Sequence, residues 1–283
     1  MRRLGLVAGN GPLPLLVLEE ATTAGVAVTV AAIKEETEPE VDDWVRRPGC
    51  DVSVHWIGLG QLGKLLKAFK SEGVSQAVMV GQVKHVRIFA PGSKSPFSQI
   101  KHLPDWQMIR FLSSLKKRDT GSLIGGIIDF LEEEGIRFID STVYLQRLLA
   151  EKGCMTGREL TEQEDADIAY GHPVAREIAR LDLGQTIVVK DQAVVAVEAM
   201  EGTDATIRRA AELVQGERLT VVKVSRPNQE MRYDVPVTGM RTLEVLRECN
   251  VSALAIDAGK TLMIDKEELL REASASGIAI VGV

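Results

Sequence analysis

A chain of 283 residues is long enough for two domains of ordinary size, each with a core of its own. With 45% hydrophobic and 26% charged residues it is neither disordered nor fibrous, and a net charge of -6 without a long Lys/Arg run excludes a general nucleic-acid binder. The three cysteines, Cys50, Cys154 and Cys249, have no CxxC or Cys/His spacing, which excludes a disulfide framework or zinc knuckle and fits a reducing cytoplasm.

Taken in chain order, the opening MRRLGLVAGNGPLP carries two arginines, but glycines and a proline interrupt it before an apolar stretch of signal-peptide length can form. No run of about 18 apolar residues occurs, so no membrane-spanning helix is expected. The first half alternates short apolar runs with helical patterns: LGLVAG, LPLLVLEEATTAG, VAVTVAAI, DVSVHWI, GQLGKLLKAFKSEG and SQAVMVGQV. Such alternation predicts a parallel sheet with crossover helices, a Rossmann-like α/β domain. After Val83 the irregular segment KHVRIFAPGSKSPFSQIKHLPDW is too long for a simple connection and has the length of a binding loop. Helical patterns resume at WQMIRFLSSLKK and SLIGGIIDFLEEEG, and the run IRFID follows. The domain boundary is expected there, giving domains 1–136 and 137–283.

The second domain opens with STVYLQRLLAEKG and the polar stretch MTGRELTEQEDADIA, ahead of a helix at PVAREIARLDLG. TIVVKDQAVVAVEAME reads as two strands joined by a tight hairpin at Lys190-Asp191-Gln192. The helix TDATIRRAAELV, the strand LTVVKVS and the polar excursion RPNQEMRYDVPVTG come next. RTLEVLRECN, VSALAIDAGKTLMID, KEELLREASASG and IAIVGV then complete an α/β domain with a mixed sheet.

Three constellations can carry chemistry. In LVAGNGPLP, Gly9 and Gly11 lie between a strand and a helix, where backbone N–H groups can cradle a phosphate. The third glycine of a dinucleotide fingerprint is replaced by Pro14, and a proline near the first helical position also serves as a plain helix starter. In AMEGTDATIRR, Glu201, Thr203 and Asp204 cluster at a strand-to-helix junction. Thr203 or Asp204 can cap that helix, whereas Glu201 and the arginines Arg208 and Arg209 exceed what a cap requires and suit a ligand crevice at the carboxyl end of a strand.

The third constellation is the excursion from Arg226 to Gly239, whose Pro227 and Pro236 a helix interior would reject. It is expected to bring Lys223, Gln229, Arg232 and Asp234 close together. Lys and Arg suit phosphoryl oxygens, and the Asp234 carboxylate suits either a hard cation such as Mg2+ or the orientation of an attacking water. A solvated surface loop would have the same charges. His55, His85, His102 and His172 match no metal-pair or nucleophile spacing; His85, flanked by Lys84 and Arg87, is the best placed of them.

Together GLVAGNGPLP, VMVGQVKH, LDLGQTIVVKDQAVVAVEAMEGTDATIRR and KVSRPNQEMRYDVPVTG resemble, over nearly the whole chain, the LpxI family of UDP-2,3-diacylglucosamine pyrophosphatases. The resemblance implies a cytoplasmic enzyme of lipid A biosynthesis with its site in the cleft between two domains that close around the substrate. Its reaction would release UMP and 2,3-diacylglucosamine 1-phosphate by attack of water on the α-phosphorus, with Mg2+ or another divalent cation. Carried onto matching positions, the resemblance implies Asp234 and Lys223 as catalytic residues, with Asp234 gripping either the metal or the water. It implies Gly9, Asn10, Gly11, Gly81, Lys84, Gln185, Glu201, Thr203, Asp204, Gln229, Arg232 and Thr238 as substrate contacts. A lipid-linked UDP-sugar also implies peripheral contact with the cytoplasmic face of the inner membrane, for which the loop holding Phe89, Phe97 and Leu103 is the expected element. A homodimer is a further expectation.

The pattern departs from the family at Asp234-Val235-Pro236-Val237-Thr238-Gly239, where the hydroxyl stands one position later than in Asp-Leu-Pro-Thr-Ile-Gly. In KRDTGSL only Asp119 matches an acidic pair. The competing readings are a nucleotide-sugar sensor without hydrolysis and a nicotinamide-dependent oxidoreductase. Against the latter stand the missing third glycine and the lack of a clear acidic residue closing VAVTVAAI, where Glu35 comes nearest; against the former stands an intact Asp234.

Overall fold

The computed structural model describes residues 3–83, 104–114 and 120–283. It forms two compact units, one of Met1–Leu145 with Met231–Tyr233, the other of Gln146–Glu230 with Asp234–Val283. In the first unit, β1 (Leu4–Ala8), β2 (Val28–Ile33), β3 (Val52–Ile57), β4 (Gln76–Val80) and β5 (Arg137–Phe138) make a wholly parallel sheet in the order β3-β2-β1-β4-β5. Every residue of β1 is buried. A strand covered on both faces cannot alternate apolar with polar residues, which is why LGLVA reads as one apolar run. The helices of the unit are α1 (Leu13–Thr23), α2 (Leu62–Ser71), α3 (Trp106–Ser114) and α4 (Thr120–Glu133). Phe69, Ile128, Leu131 and Ile136 fill a core beneath Val7, Ala31 and Ala77.

The strand order reverses between β1 and β4, and in open α/β sheets the crevice at such a switch point is where ligands bind. Two features depart from the expected boundary after residue 136. Arg137 and Phe138 pair with Gln76 and Ala77 of β4, so the first unit runs on to Leu145. The chain also returns to this unit at Met231–Tyr233, where the Ser141 N–H donates to the Met231 carbonyl at 3.0 Å.

The second unit contains β6 (Gly153–Cys154), α5 (Glu162–Arg180), β7 (Thr186–Lys190), β8 (Ala193–Val197), α6 (Thr203–Leu213) and β9 (Leu219–Lys223). It continues with β10 (Val237–Thr238), α7 (Met240–Glu248), β11 (Val251–Ile256), β12 (Leu262–Met263), α8 (Lys266–Ala275) and β13 (Ala279–Gly282). Its main sheet has the order β6-β13-β11-β9-β7-β8, with β9, β11 and β13 parallel and β7 antiparallel to both β8 and β9. The mixed sheet expected from the sequence is therefore present. One face packs Val189, Val222 and Ala253 against Ile168, Ala175 and Ala179 of α5; the other packs Val188, Val221 and Leu254 against α6, α7 and α8. Adjacent strand residues thus serve opposite cores.

The hairpin at Lys190-Asp191-Gln192 is real: Asp191 and Gln192 both have positive φ, 50° and 57°, as a two-residue turn with the right twist requires. The helix expected at PVAREIARLDLG begins much earlier. Thr161 caps α5 with its hydroxyl on the Glu164 N–H at 3.2 Å, while the Glu164 carboxylate accepts from the Thr161 N–H at 2.9 Å. Pro173 lies inside the helix and does not start it. Among the described residues no helix is long and apolar enough to cross a membrane.

Candidate active site

In the first unit the glycine turn is held by backbone. The Gly9 N–H donates to the Val80 carbonyl at 2.8 Å, and Asn10 and Gln82 exchange a pair of backbone bonds at 2.7 and 2.9 Å. A Cβ on Gly9 would sit 2.8 Å from the carbonyl carbon of Gly81, and one on Gly81 2.8 Å from the Asn10 oxygen. These two glycines therefore let the ends of β1 and β4 touch at the switch point. Their contact spends the amides of Gly9 and Asn10, so a phosphate here would have to use amides nearer the start of α1. Gly11, with φ of 94°, turns the chain into that helix. The Asn10 side chain donates to the Glu36 carbonyl at 3.0 Å, which pins the loop after β2 beside the turn. Lys84, Asp119, His85 and His102 fall outside the described residues, as does the loop carrying Phe89, Phe97 and Leu103.

In the second unit the functional candidates gather at one edge of the sheet. Lys223 closes β9, and in the ladder it stands opposite Thr186, the first residue of β7. The Glu198 N–H, just past β8, donates to the Thr186 carbonyl at 2.9 Å. Residues directly opposite in antiparallel pairs share a face, so Glu198, Thr186 and Lys223 form a row across three strands. Glu198 is buried at 7% exposure; its carboxylate accepts from the Thr203 hydroxyl at 3.0 Å and from the Gln185 N–H at 3.2 Å. The Thr186 and Thr203 hydroxyls lie 3.1 Å apart.

The sequence expectation that Thr203 or Asp204 caps α6 is not met. The cap position is Gly202, with φ of 82° and no side-chain bond. Thr203 is drawn to Glu198, and Asp204 pairs with Arg241 of α7 at 3.1 Å. Glu201 is taken up locally, accepting from Arg209 at 2.8 Å and from the Ala199 N–H at 3.1 Å. Its carboxyl is held below the usual range by its own backbone N–H first and by Arg209 next. Arg208 pairs with Glu248.

Lys223 itself is buried, and its ammonium donates to the Val237 carbonyl at 3.2 Å, tying β9 to β10. Burial pushes its pKa down, while Glu198 and then Asp204 pull it up. Thr238 is buried in β10, where its carbonyl accepts from Ile264 at 2.9 Å.

The polar excursion after β9 is an internally bonded loop. Gln229 accepts the Arg226 N–H at 2.9 Å and donates to both the carbonyl and the Oδ2 of Asp234, the latter at 2.9 Å. Arg226 adds an ion pair to the same Oδ2 at 2.8 Å. The loop thus joins Gln229 to Asp234 as expected but sends Arg232 to the first unit, 3.4 Å from Glu132. Arg226 takes the place expected of Arg232 because the loop turns back on its own start. Both bonds fall on Oδ2, so Oδ1 of the half-exposed Asp234 side chain keeps its lone pairs open among the described residues. A hard oxygen of that kind suits Mg2+, which takes one or two protein carboxylates and fills its remaining positions with phosphate and water. No cage of three His, Cys, Asp or Glu side chains occurs among the described residues.

Sequence reasoning missed Glu198, Arg226 and Asp257. Asp257 follows β11, is buried, and accepts from the Ser225 N–H at 2.8 Å with His172 and Arg176 of α5 each 3.4 Å away. His172 therefore has its Nε2 within hydrogen-bonding reach of the Asp257 carboxylate. A single acidic residue closing an otherwise apolar run, as in VVAVE and SALAID, was the available signal.

Comparison with known proteins covers both units. Residues 3–148 match the LpxI N-terminal domain and residues 151–281 the LpxI C-terminal domain. Over its full length the chain is 32% identical to a Caulobacter vibrioides protein named UDP-2,3-diacylglucosamine pyrophosphatase LpxI, covering 98% of that relative.

Proposed function

The chain belongs to the LpxI family, and from that membership we propose that it is a UDP-2,3-diacylglucosamine pyrophosphatase of lipid A biosynthesis. The products would be UMP and 2,3-diacylglucosamine 1-phosphate, formed by attack of water on the α-phosphorus. The observation that carries the reading is the buried Lys223 at the edge where β7, β8 and β9 end or begin, in one cross-strand row with Thr186 and Glu198. An ammonium in a poorly hydrated setting is far stronger toward a diphosphate than the same charge in water.

Each residue then has a task. Lys223, with one of its three N–H bonds on Val237, has donors left for a phosphoryl oxygen. The first amides of α6, that of Thr203 included, would bind the substrate at a helix start favourable to anions. Asp234 would hold a divalent cation through Oδ1, kept in position by Arg226 and Gln229 on Oδ2. A bound Mg2+ would neutralise charge on the diphosphate. The turn at Gly9, Gly11 and Gly81 suits the nucleotide or sugar phosphate, since it lies at the switch point of the first sheet.

The test is incubation of the purified chain with UDP-2,3-diacylglucosamine and Mg2+, with products followed by chromatography. UMP release is expected, with a fall of about a hundredfold or more in kcat for Asp234→Ala. Absence of UMP from the native chain would overturn the activity; undiminished turnover by Asp234→Ala would overturn the assigned role.

A further inference from the structure

The outer face of α2 and α3 in the first unit has a composition that its own packing does not explain. α3 is seated by Met108 and Phe111, at 9% and 7% exposure, which join Leu65 and Phe69 of α2 in the core. Its other side carries Trp106, 73% exposed, and Ile109, 44% exposed, with the exposed Arg110 one turn on from Trp106. Single exposed apolar side chains are ordinary. A tryptophan is highly buried on average, and here it stands one turn from a second large apolar residue.

The charge beside this pair is one-sided. Lys64 and Lys67 are exposed on α2 at i and i+3, hence on one face of that helix. Among the described residues neither they nor Arg110 form an ion pair, whereas Lys70, one turn further along α2, is paired with Glu134. The adjoining acid, Asp105, is spent on backbone: its carboxylate accepts from the Gly63 and Lys64 N–H groups at 2.7 and 3.3 Å and from the Met108 N–H at 3.0 Å. It thereby joins the starts of both helices, and a side chain on Gly63 would collide with Gln107. The sequence shows the same asymmetry. From Lys84 to Asp119 it has eight Lys or Arg against two Asp, in a chain of net charge -6.

We propose that the face formed by Lys64, Lys67, Trp106, Ile109 and Arg110 docks on an anionic bilayer surface. An acidic protein is repelled by such a surface unless one face is cationic within a Debye length, about 8 Å at physiological salt. The three unpaired cations meet that condition. The indole ring suits the headgroup level, and Ile109 gains by leaving water at the boundary with the acyl chains. A nucleic-acid duplex would match the cations but offer nothing to Ile109. The docking goes beyond the hydrolysis proposed above and does not need it.

The test mixes the full-length protein, at about 0.1 M salt, with vesicles of phosphatidylethanolamine containing about one third phosphatidylglycerol, or with phosphatidylcholine vesicles, and reads the bound fraction by sedimentation. Binding to the anionic vesicles should exceed that to the neutral ones by about a hundredfold, since each of three cations contributes about fivefold. Lys64→Gln and Arg110→Gln should each weaken it about fivefold, and Trp106→Ala about tenfold or more. Lys152→Gln and Leu213→Ala, exposed changes in the second unit, should leave it unchanged. Tryptophan emission should move to shorter wavelength with anionic vesicles, and the shift should be lost in Trp106→Phe.

Equal binding to neutral vesicles, or undiminished binding by Trp106→Ala, would overturn the proposal. So would retention of a DNA duplex, or dimerisation of the chain, that Trp106→Ala abolishes while vesicles go unbound. Should Trp106→Ala not fold, the native emission still decides, because an unshifted spectrum overturns the docking. Binding is read without turnover, so a chain that releases no UMP fails the proposed function alone.

Discussion

At the scale of single residues, the site depends on where chain segments are allowed to touch. Gly184 and Gly9 each stand where a methyl group would enter a neighbouring main chain, and neither has the positive φ that would make it a turn glycine. Gly184→Ala should therefore displace the end of β8 and Glu198 with it. A loss of about 1–3 kcal/mol in stability is expected from the overpacking, together with a fall in kcat/KM. Gly25→Ala makes a control, since Gly25 has φ of 71° but open space around it. It should cost about 1 kcal/mol through backbone strain and leave turnover unchanged. Thermal melts and initial rates on both variants separate the two effects; equal loss of activity in the two would refute the role given to Gly184.

At the scale of elements, α5 shows what local chemistry can and cannot announce. Its first turn is acidic, with Glu162, Glu164 and Asp165, so its start reads as a polar loop although Thr161-x-x-Glu164 is a capping box in plain sequence. Pro173 suggested a later start because proline is common at the first helical turn, and a proline within a helix is rare enough to mislead. The strands were legible for the opposite reason. Runs such as LTVVKVS and VSALAID are apolar on both faces because helices cover both faces, and no helical period competes with that pattern.

The site was half legible on the same grounds. Polar residues at element ends, Lys223 closing β9 and Thr203 opening α6, stand out in sequence, whereas the choice between Glu198 and Glu201 depends on register. Only Glu198 lies opposite Thr186, and period-two alternation does not say which residue of a neighbouring strand it meets. Glu164 carries a prediction of its own. Burial alone would raise its pKa, but the paired Arg158 bonds at 2.8 and 2.6 Å, with further help from Ser252 and the Thr161 N–H, hold it down at about 2. Its folded pKa lies below the unfolded value of 4.5, so its stabilisation is present above pH 4.5 and is lost as pH falls toward 2. The shift corresponds to about 3 kcal/mol. Denaturant titrations of Glu164→Gln and native protein should differ by that order at neutral pH and converge near pH 2; a constant gap would refute it.

At the scale of the whole molecule, the chain does not divide at one point. It completes the first sheet, builds the second unit as far as Glu230, returns to the first unit for Met231–Tyr233 and then finishes the second. The returning segment is held by Ser141, which is buried and whose hydroxyl lies 2.7 Å from the Met79 carbonyl and 2.6 Å from that of Arg232. Glu230 and Asp234 flank that segment directly, with Gln229 one residue before, so the anchorage of three residues in the first unit bears on the order of a loop whose carboxylate belongs to the second. In Ser141→Ala the one O–H that the two carbonyls share is lost, at a cost of about 1–3 kcal/mol, and the segment should open about tenfold more often. When reclosing is fast, proteolysis follows the population of the open form, so trypsin should cut after Arg232 about ten times faster in the variant than in the native chain. A site in the second unit, after Lys152 for example, should be cut at an unchanged rate. Equal acceleration at both sites would mean that Ser141 supports the fold at large and not the anchorage of this segment.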